Sequence, residues 1–214
     1  MLAKAQVDNG PVYRPYYELE NTHPSCSLDK VVQFCKAPPA GFTKHRQELE
    51  AIAEQIVVFK DKVSQLIELP HQLVHGDLNA SNVLADSQGH ISAILDFEFV
   101  TIDLRVMELA VCLSDLIQPE QEEQGMWTRI ESLITGYGSL MELTMGEIEV
   151  VPILVQLRRL DVFIHFLGRY WDGIDQPDIL EQQIVSTATN TRWLTLYQDQ
   201  LCALLKRRIV QEHE

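Results

Sequence analysis

The chain has 214 residues, 46% of them hydrophobic, and its 17 basic and 31 acidic residues give a formal charge of −14. That length suits one globular domain with a substantial core. The acidic balance argues against nucleic acid and anionic membrane surfaces as partners, because both are met by basic patches. Cys26, Cys35, Cys112 and Cys202 form no C-x-x-C pair, so neither a zinc site nor a disulfide framework is indicated. With no signal-peptide pattern and no long apolar span, a reducing cytoplasm is the expected location.

Gly10 to Pro24 is rich in Pro, Tyr and Asn and reads as irregular. A short helix is predicted around Leu28 to Cys35, and Pro38-Pro39-Ala40-Gly41 breaks the chain after it. From Glu48 to Leu69, apolar residues recur at three and four (Leu49, Ile52, Ala53, Ile56, Phe59, Val63, Leu66 and Ile67), which predicts an amphipathic helix ended by Pro70. Next come an apolar run ending at Val74, a polar loop, and a hairpin made of Asn82 to Asp86, a Ser87-Gln88-Gly89-His90 turn and Ile91 to Leu95.

After Asp96 the pattern is mostly helical: Leu104 to Leu116, Trp127 to Tyr137 with Gly136-Tyr137-Gly138 as its C-cap, Val151 to Tyr170, and Thr191 to Val210. Gln118 to Gln124 reads as a solvated acidic connector, and Trp171-Asp172-Gly173 as a breaker. Lys206, Arg207 and Arg208 suit the negative end of the last helix. Arg105 is expected to form a surface pair with Asp103 or Glu108, His165 to be structural, and Cys112 to be a small core residue.

Two apolar runs each end in an acidic residue, and this pattern carries the chemistry. His75-Gly76-Asp77 is followed by Asn82 five residues beyond the aspartate, and Leu95-Asp96-Phe97-Glu98 follows the hairpin. An H-x-D-x-x-x-x-N loop followed by an Asp-Phe pair is the arrangement used in kinase-type phosphoryl transfer. The loose, highly charged transition state needs position and countercharge more than covalent chemistry. Asn82 and Asp96 offer hard oxygen atoms for Mg2+ on ATP. Asp77 is placed to accept the proton of a substrate hydroxyl, and His75 to order the loop. An isolated His-Gly-Asp would be ordinary turn chemistry; here the hairpin returns Asp96 towards Asn82, so the two halves support one another.

These residues resemble the aminoglycoside phosphotransferase and choline kinase superfamily, in which a small residue replaces the protein kinases' arginine in this loop. Phe99 to Leu113 and Pro152 to Leu160 are similar to its type II homoserine kinases, and the resemblance runs from about Gln72 to Tyr170. It implies a protein-kinase-like C-lobe: α+β, mostly α, with a small catalytic β-hairpin. It also implies that the helix carrying Arg158 and Arg159 borders the acceptor pocket, so that either arginine could meet a substrate carboxylate. Glu108 stands where many relatives have an aspartate that braces the catalytic loop.

Such kinases also have an N-terminal lobe with a phosphate-pairing lysine and a loop over the phosphates. No glycine-rich loop precedes His75, and Lys4, Lys30 and Lys36 lack strand-like flanks. The N-lobe is therefore expected to be absent. The chain is divided as a lead-in over 1–47, a helix over 48–69, a catalytic and metal-binding segment over 70–100 and a helical subdomain over 101–214.

The expected activity is ATP- and Mg2+-dependent phosphorylation of a small-molecule hydroxyl, on a homoserine-like amino acid or an amino alcohol. The alternative is a non-catalytic binding or regulatory module whose exposed apolar face meets a missing lobe or a second copy. A protein kinase is disfavoured, since no Ala-Pro-Glu segment follows Asp96.

Overall fold

The computed structural model of the chain describes residues 13–209. Lys4 and the start of the irregular lead-in at Gly10 lie outside them, as does Val210. In chain order the elements are α1 (Leu28–Lys36), α2 (Arg46–Leu66), β1 (His71–Val74), β2 (Val83–Ala85), β3 (Ile91–Ile94), β4 (Thr101–Leu104), α3 (Met107–Leu116), α4 (Glu123–Gly138), α5 (Met145–Trp171) and α6 (Pro177–Ile209). The fold is mostly α with two small antiparallel strand pairs, β1 with β4 and β2 with β3. Among the described residues no helix is long and apolar enough to cross a membrane.

Two compact units share the chain. Among the described residues, one takes 13–15, Glu68–Val155 and 202–209; the other takes Tyr16–Ile67 and Gln156–Leu201. Helices α5 and α6 contribute residues to both.

In the second unit, α1 starts on Ser27, whose side chain accepts from the Lys30 amide. Helix α2 buries Leu49, Ile52, Ala53, Ile56, Phe59 and Leu66 of the expected stripe, whereas Val63 is partly exposed and Ile67, past the end of the helix, is exposed. Phe34 meets Phe42 and Trp171 edge-on, and Phe42 meets Tyr170 in the same way. Gly168 is needed where the His23 ring lies against α5, because a Cβ there would run into that ring. Helix α6 is longer than predicted. The polar, β-branched stretch before Thr191 disfavours a helix by propensity, yet two of its side chains bond back to the helix's own carbonyls: Asn190 Nδ2 donates to Ser186 O and Thr191 Oγ1 to Thr187 O.

The first unit carries the strands. β4 was not expected, since Leu104 was read as the start of a helix. The register pairs His71 with Leu104, Gln72 with Asp103, Leu73 with Ile102 and Val74 with Thr101. Residues 75–100 are thus an excursion closed at its base by β1 and β4, with the β2–β3 hairpin nested inside it. Asp86 closes that hairpin: its Oδ1 accepts from the Gln88 and His90 amides, and these bonds hold its carboxyl below the usual range. Gly89 takes the positive φ of 83° that the turn requires.

Two expectations are corrected here. Gln118 to Gln124 is not only a connector: Glu122 caps α4 by accepting from the Gln124 and Gly125 amides, and the helix begins at Glu123. Arg105 pairs with neither Asp103 nor Glu108. It forms a fork with Glu147, with Nε to Oε1 at 2.6 Å and Nη2 to Oε2 at 2.7 Å. The Glu147 side chain is 0% exposed and also accepts from the Thr144 amide and hydroxyl. Burial alone would raise its carboxyl, but the Arg105 and Thr144 bonds outweigh that and hold it below the usual range.

Pro152 sits inside α5 and gives Ile148 O no N–H. Cys202 Sγ, 3.8 Å away, donates to that carbonyl instead. Lys206, Arg207 and Arg208 lie in the last turn of α6, facing Glu149 and Glu131 across the surface.

Candidate active site

The nested strands bring His75, Asp77, Asn82 and Asp96 into one place. Gly76 starts the loop at φ 81°, and a Cβ there would sit 2.5 Å from Phe99 O, so only glycine fits. The next three residues turn the chain towards Asn82. Asn79 caps the short turn Ala80–Asn82, its Oδ1 accepting from the Ser81 amide at 2.9 Å, while Asn79 O accepts from the Asn82 amide at 3.1 Å. Asn82 is buried at 8% exposure. Its Nδ2 donates to Asp77 O at 2.9 Å and to Asp77 Oδ2 at 3.0 Å, fixing the carboxylate that carries the proposed base. This leaves Asn82 Oδ1 with no hydrogen bond among the described residues.

His75 joins the two loops. Its Nε2 lies 2.8 Å from Leu95 O, and its Nδ1 accepts from the Asp77 amide at 3.2 Å. Two such bonds require the tautomer with hydrogen on Nε2. The ring also packs on Phe97, with centroids 4.8 Å apart. A second tie runs from the Leu95 amide to Asn82 O at 2.9 Å. The residue after Leu95 is Asp96, so His75 links the backbone beside Asp77 to the backbone beside Asp96.

Asp96 has φ 61°, the sole non-glycine residue with positive φ among those described. A non-glycine side chain in that region carries strain, which persists where the surroundings impose it and tends to collect at functional sites. The residue is exposed, and its carboxylate makes no hydrogen bond or ion pair among the described residues. On the same excursion Leu84, Ile91, Ile94, Leu95 and Phe97 are also exposed.

Glu108, from α3, supports the loop from below. Its Oε2 accepts from the His75 amide at 2.6 Å, while Oε1 is buried without a hydrogen-bond partner. Burial pushes its carboxyl above the usual range, against the pull of the His75 and Gly76 amides and the His75 ring. The added methylene of glutamate relative to aspartate does not prevent the contact.

Arg158 and Arg159 lie in the other unit. Arg158 donates to the Tyr16 hydroxyl at 2.9 Å, stands 5.6 Å from that ring's centroid and faces Asp161 at 3.7 Å. The His165 ring lies 6.2 Å, centroid to centroid, from that of His23, and desolvation moves its imidazole below the usual range.

Other proteins share this arrangement of elements. A solved amicoumacin kinase, in complex with AMP-PNP, Ca2+ and Ami, superposes with a TM-score of 0.56 at 15% identity, covering 91% of this chain and 55% of that one. A microcompartment-associated aminopropanol kinase gives 0.55 at 16% identity, covering 94% and 68%. The fold is therefore kinase-like. Residues 30–143, more than half of the chain, match the model of the phosphotransferase enzyme family, and the chain belongs to that family. Its relatives include homoserine kinases: that of Chelativorans sp. (strain BNC1) is 32% identical over 111 residues, covering 52% of this chain and 33% of the kinase. That of Rhizobium meliloti (strain 1021) is 31% identical over 112 residues, covering 51% and 32%. The chain thus spans about a third of the length of the homoserine kinases it matches. The superfamily resemblance and the homoserine kinase-like likeness are both borne out.

Proposed function

We propose that the chain carries the catalytic loop of an ATP- and Mg2+-dependent phosphotransferase acting on the hydroxyl of a small molecule, a homoserine-like amino acid or an amino alcohol. The observation that carries this reading is Asp96. Its exposed carboxylate is held in left-handed backbone with no hydrogen bond or ion pair among the described residues, and the neighbouring Leu95 amide is tied to Asn82 O. Strain and an unspent charge are retained together where a ligand uses them.

The donor set fits Mg2+. An amide oxygen and a carboxylate are hard ligands, and two protein ligands suffice for an ion that keeps waters and phosphate oxygens in its octahedral shell. When bound, the ion would neutralise charge on the nucleotide phosphates. This chain's own residues position the acceptor. Asp77, fixed by Asn82 Nδ2, takes the proton from the substrate hydroxyl as that oxygen bonds to the γ-phosphorus, and the bond from γ-phosphorus to the bridging oxygen breaks to release ADP. Asn82 and His75 hold the two loops in register for this step. The homoserine kinases and the aminopropanol kinase among the similar proteins favour a small acceptor bearing an amine. A contact of Arg158 or Arg159 with the carboxylate of an amino-acid acceptor belongs to the same proposal.

Phosphorus NMR of the chain with ATP, Mg2+ and either homoserine or aminopropanol tests this directly. A new phosphate-monoester signal that requires Mg2+ is expected with one of the acceptors. ATP left intact with both, while the folded chain still binds Mg2+-ATP, would favour the non-catalytic module instead.

A further inference from the structure

Beneath the loop, α3 presents more than Glu108. Positions 108, 112 and 115 are spaced at four and three, so they share one face of the helix. Each meets a backbone group of the catalytic loop: Glu108 Oε2 accepts from His75 N, Cys112 Sγ donates to Leu78 O at 3.3 Å, and Asp115 Oδ2 accepts from Ala80 N at 3.2 Å. The order of chemistry along the helix, acceptor, donor, acceptor, mirrors the order of amide, carbonyl and amide along the loop.

Two features mark this as more than incidental contact. Cys112 is a donor only while protonated, and burial pushes its thiol up to about 12, so it holds that proton at any physiological pH. Asp115 sits in the last turn of α3, where the helix dipole disfavours a negative charge. A carboxylate there is compensated by the amide it accepts from. The short turn carrying Asn82 has three amides to satisfy. Asn79 takes those of Ser81 and Asn82, and Asp115, from α3, takes that of Ala80.

We propose that Cys112 and Asp115 are positioning residues that set the height of the loop on α3, with Asp115 controlling the Asn82 turn through the Ala80 amide. Its kinetic consequence rests on the phosphotransferase reading; its structural consequence does not. The test compares Asp115→Ala with Asp115→Asn, and Cys112→Ala with Cys112→Ser, in the full chain. Asparagine keeps an acceptor for Ala80 N, and serine keeps a donor for Leu78 O.

Amide hydrogen exchange is expected to accelerate about fivefold at Ala80 to Asn82 in Asp115→Ala, at unchanged thermal midpoint, and to return to the wild-type rate in Asp115→Asn. Half-saturation of transfer by Mg2+ should rise by a similar factor in the alanine variant alone. Cys112→Ala should loosen Leu78 and its neighbours, and Cys112→Ser should restore them. Unchanged exchange in Asp115→Ala overturns the proposal, as does an asparagine variant as loose as the alanine one. A wild-type chain that transfers no phosphate contradicts the phosphotransferase reading, and the exchange rates then decide the proposal by themselves.

Discussion

Asp77→Asn is expected to lower the turnover of phosphoryl transfer by roughly 10²- to 10⁴-fold, the range for loss of a positioned general base. The substitution keeps the shape of the side chain. The bond from Asn82 Nδ2 to Asp77 O, made to the backbone, is also kept. Nucleotide affinity and thermal midpoint should therefore stay near wild type, so that the loss falls on kcat and not on KM. Steady-state kinetics beside a melting curve check this. Turnover within a few-fold of wild type would remove Asp77 from the role of base, whatever the fate of the fold.

Glu147→Ala is expected to be the most damaging single change to stability in the first unit. The carboxylate is fully enclosed, while Arg105 is a quarter exposed. Removing one partner of a buried pair strands the other, at a cost of about 3 to 5 kcal/mol; the partial exposure of Arg105 places it near about 3 kcal/mol, a fall of roughly 6 to 12 °C in midpoint for a chain of this size. The pair also sets a pH dependence. The carboxyl of Glu147 lies below its ordinary range in the folded state, so its contribution is present in full above the unfolded value, near about 4.3. It is lost as pH falls through the lower folded value. Denaturant titrations at pH 7 and in that acid window should show the wild type losing stability towards Glu147→Ala, which should itself vary less.

Glu108 titrates with the opposite sign. Its raised carboxyl makes the folded chain bind a proton more tightly than the unfolded chain. Stability from this group is therefore present at low pH and declines as pH rises from the unfolded value through the folded one.

The segment from His75 to Asp96 was legible because its signals are local. The Ser87 to His90 turn, the alternation on either side of it and the fixed spacing from Asp77 to Asn82 lie within a few residues of one another. Helix α2 was legible for a similar reason: a stripe recurring over six turns leaves little choice of period. What escaped were pairings between distant positions. β4 is four residues long, runs into a helix without a turn signal and is a strand only because β1, some thirty residues earlier, accepts it. Arg105 found Glu147 across 42 positions, a partner that no local spacing advertises. Cys112 and Asp115 carried one usable signal, their shared helical face with Glu108, but nothing in the residue types said what backbone that face would meet. The strained φ of Asp96 is likewise a property of the closed excursion and not of the dipeptide.

The most direct test of the account is calorimetric titration of the chain with a non-hydrolysable ATP analogue, in Mg2+ and in EDTA, for wild type and Asp96→Ala. Binding by wild type that depends on Mg2+, with affinity lost by about tenfold or more in Asp96→Ala, is the predicted result. Equal binding in Mg2+ and EDTA, or an Asp96→Ala variant that binds as wild type does, would contradict the placing of the metal and nucleotide at Asn82 and Asp96.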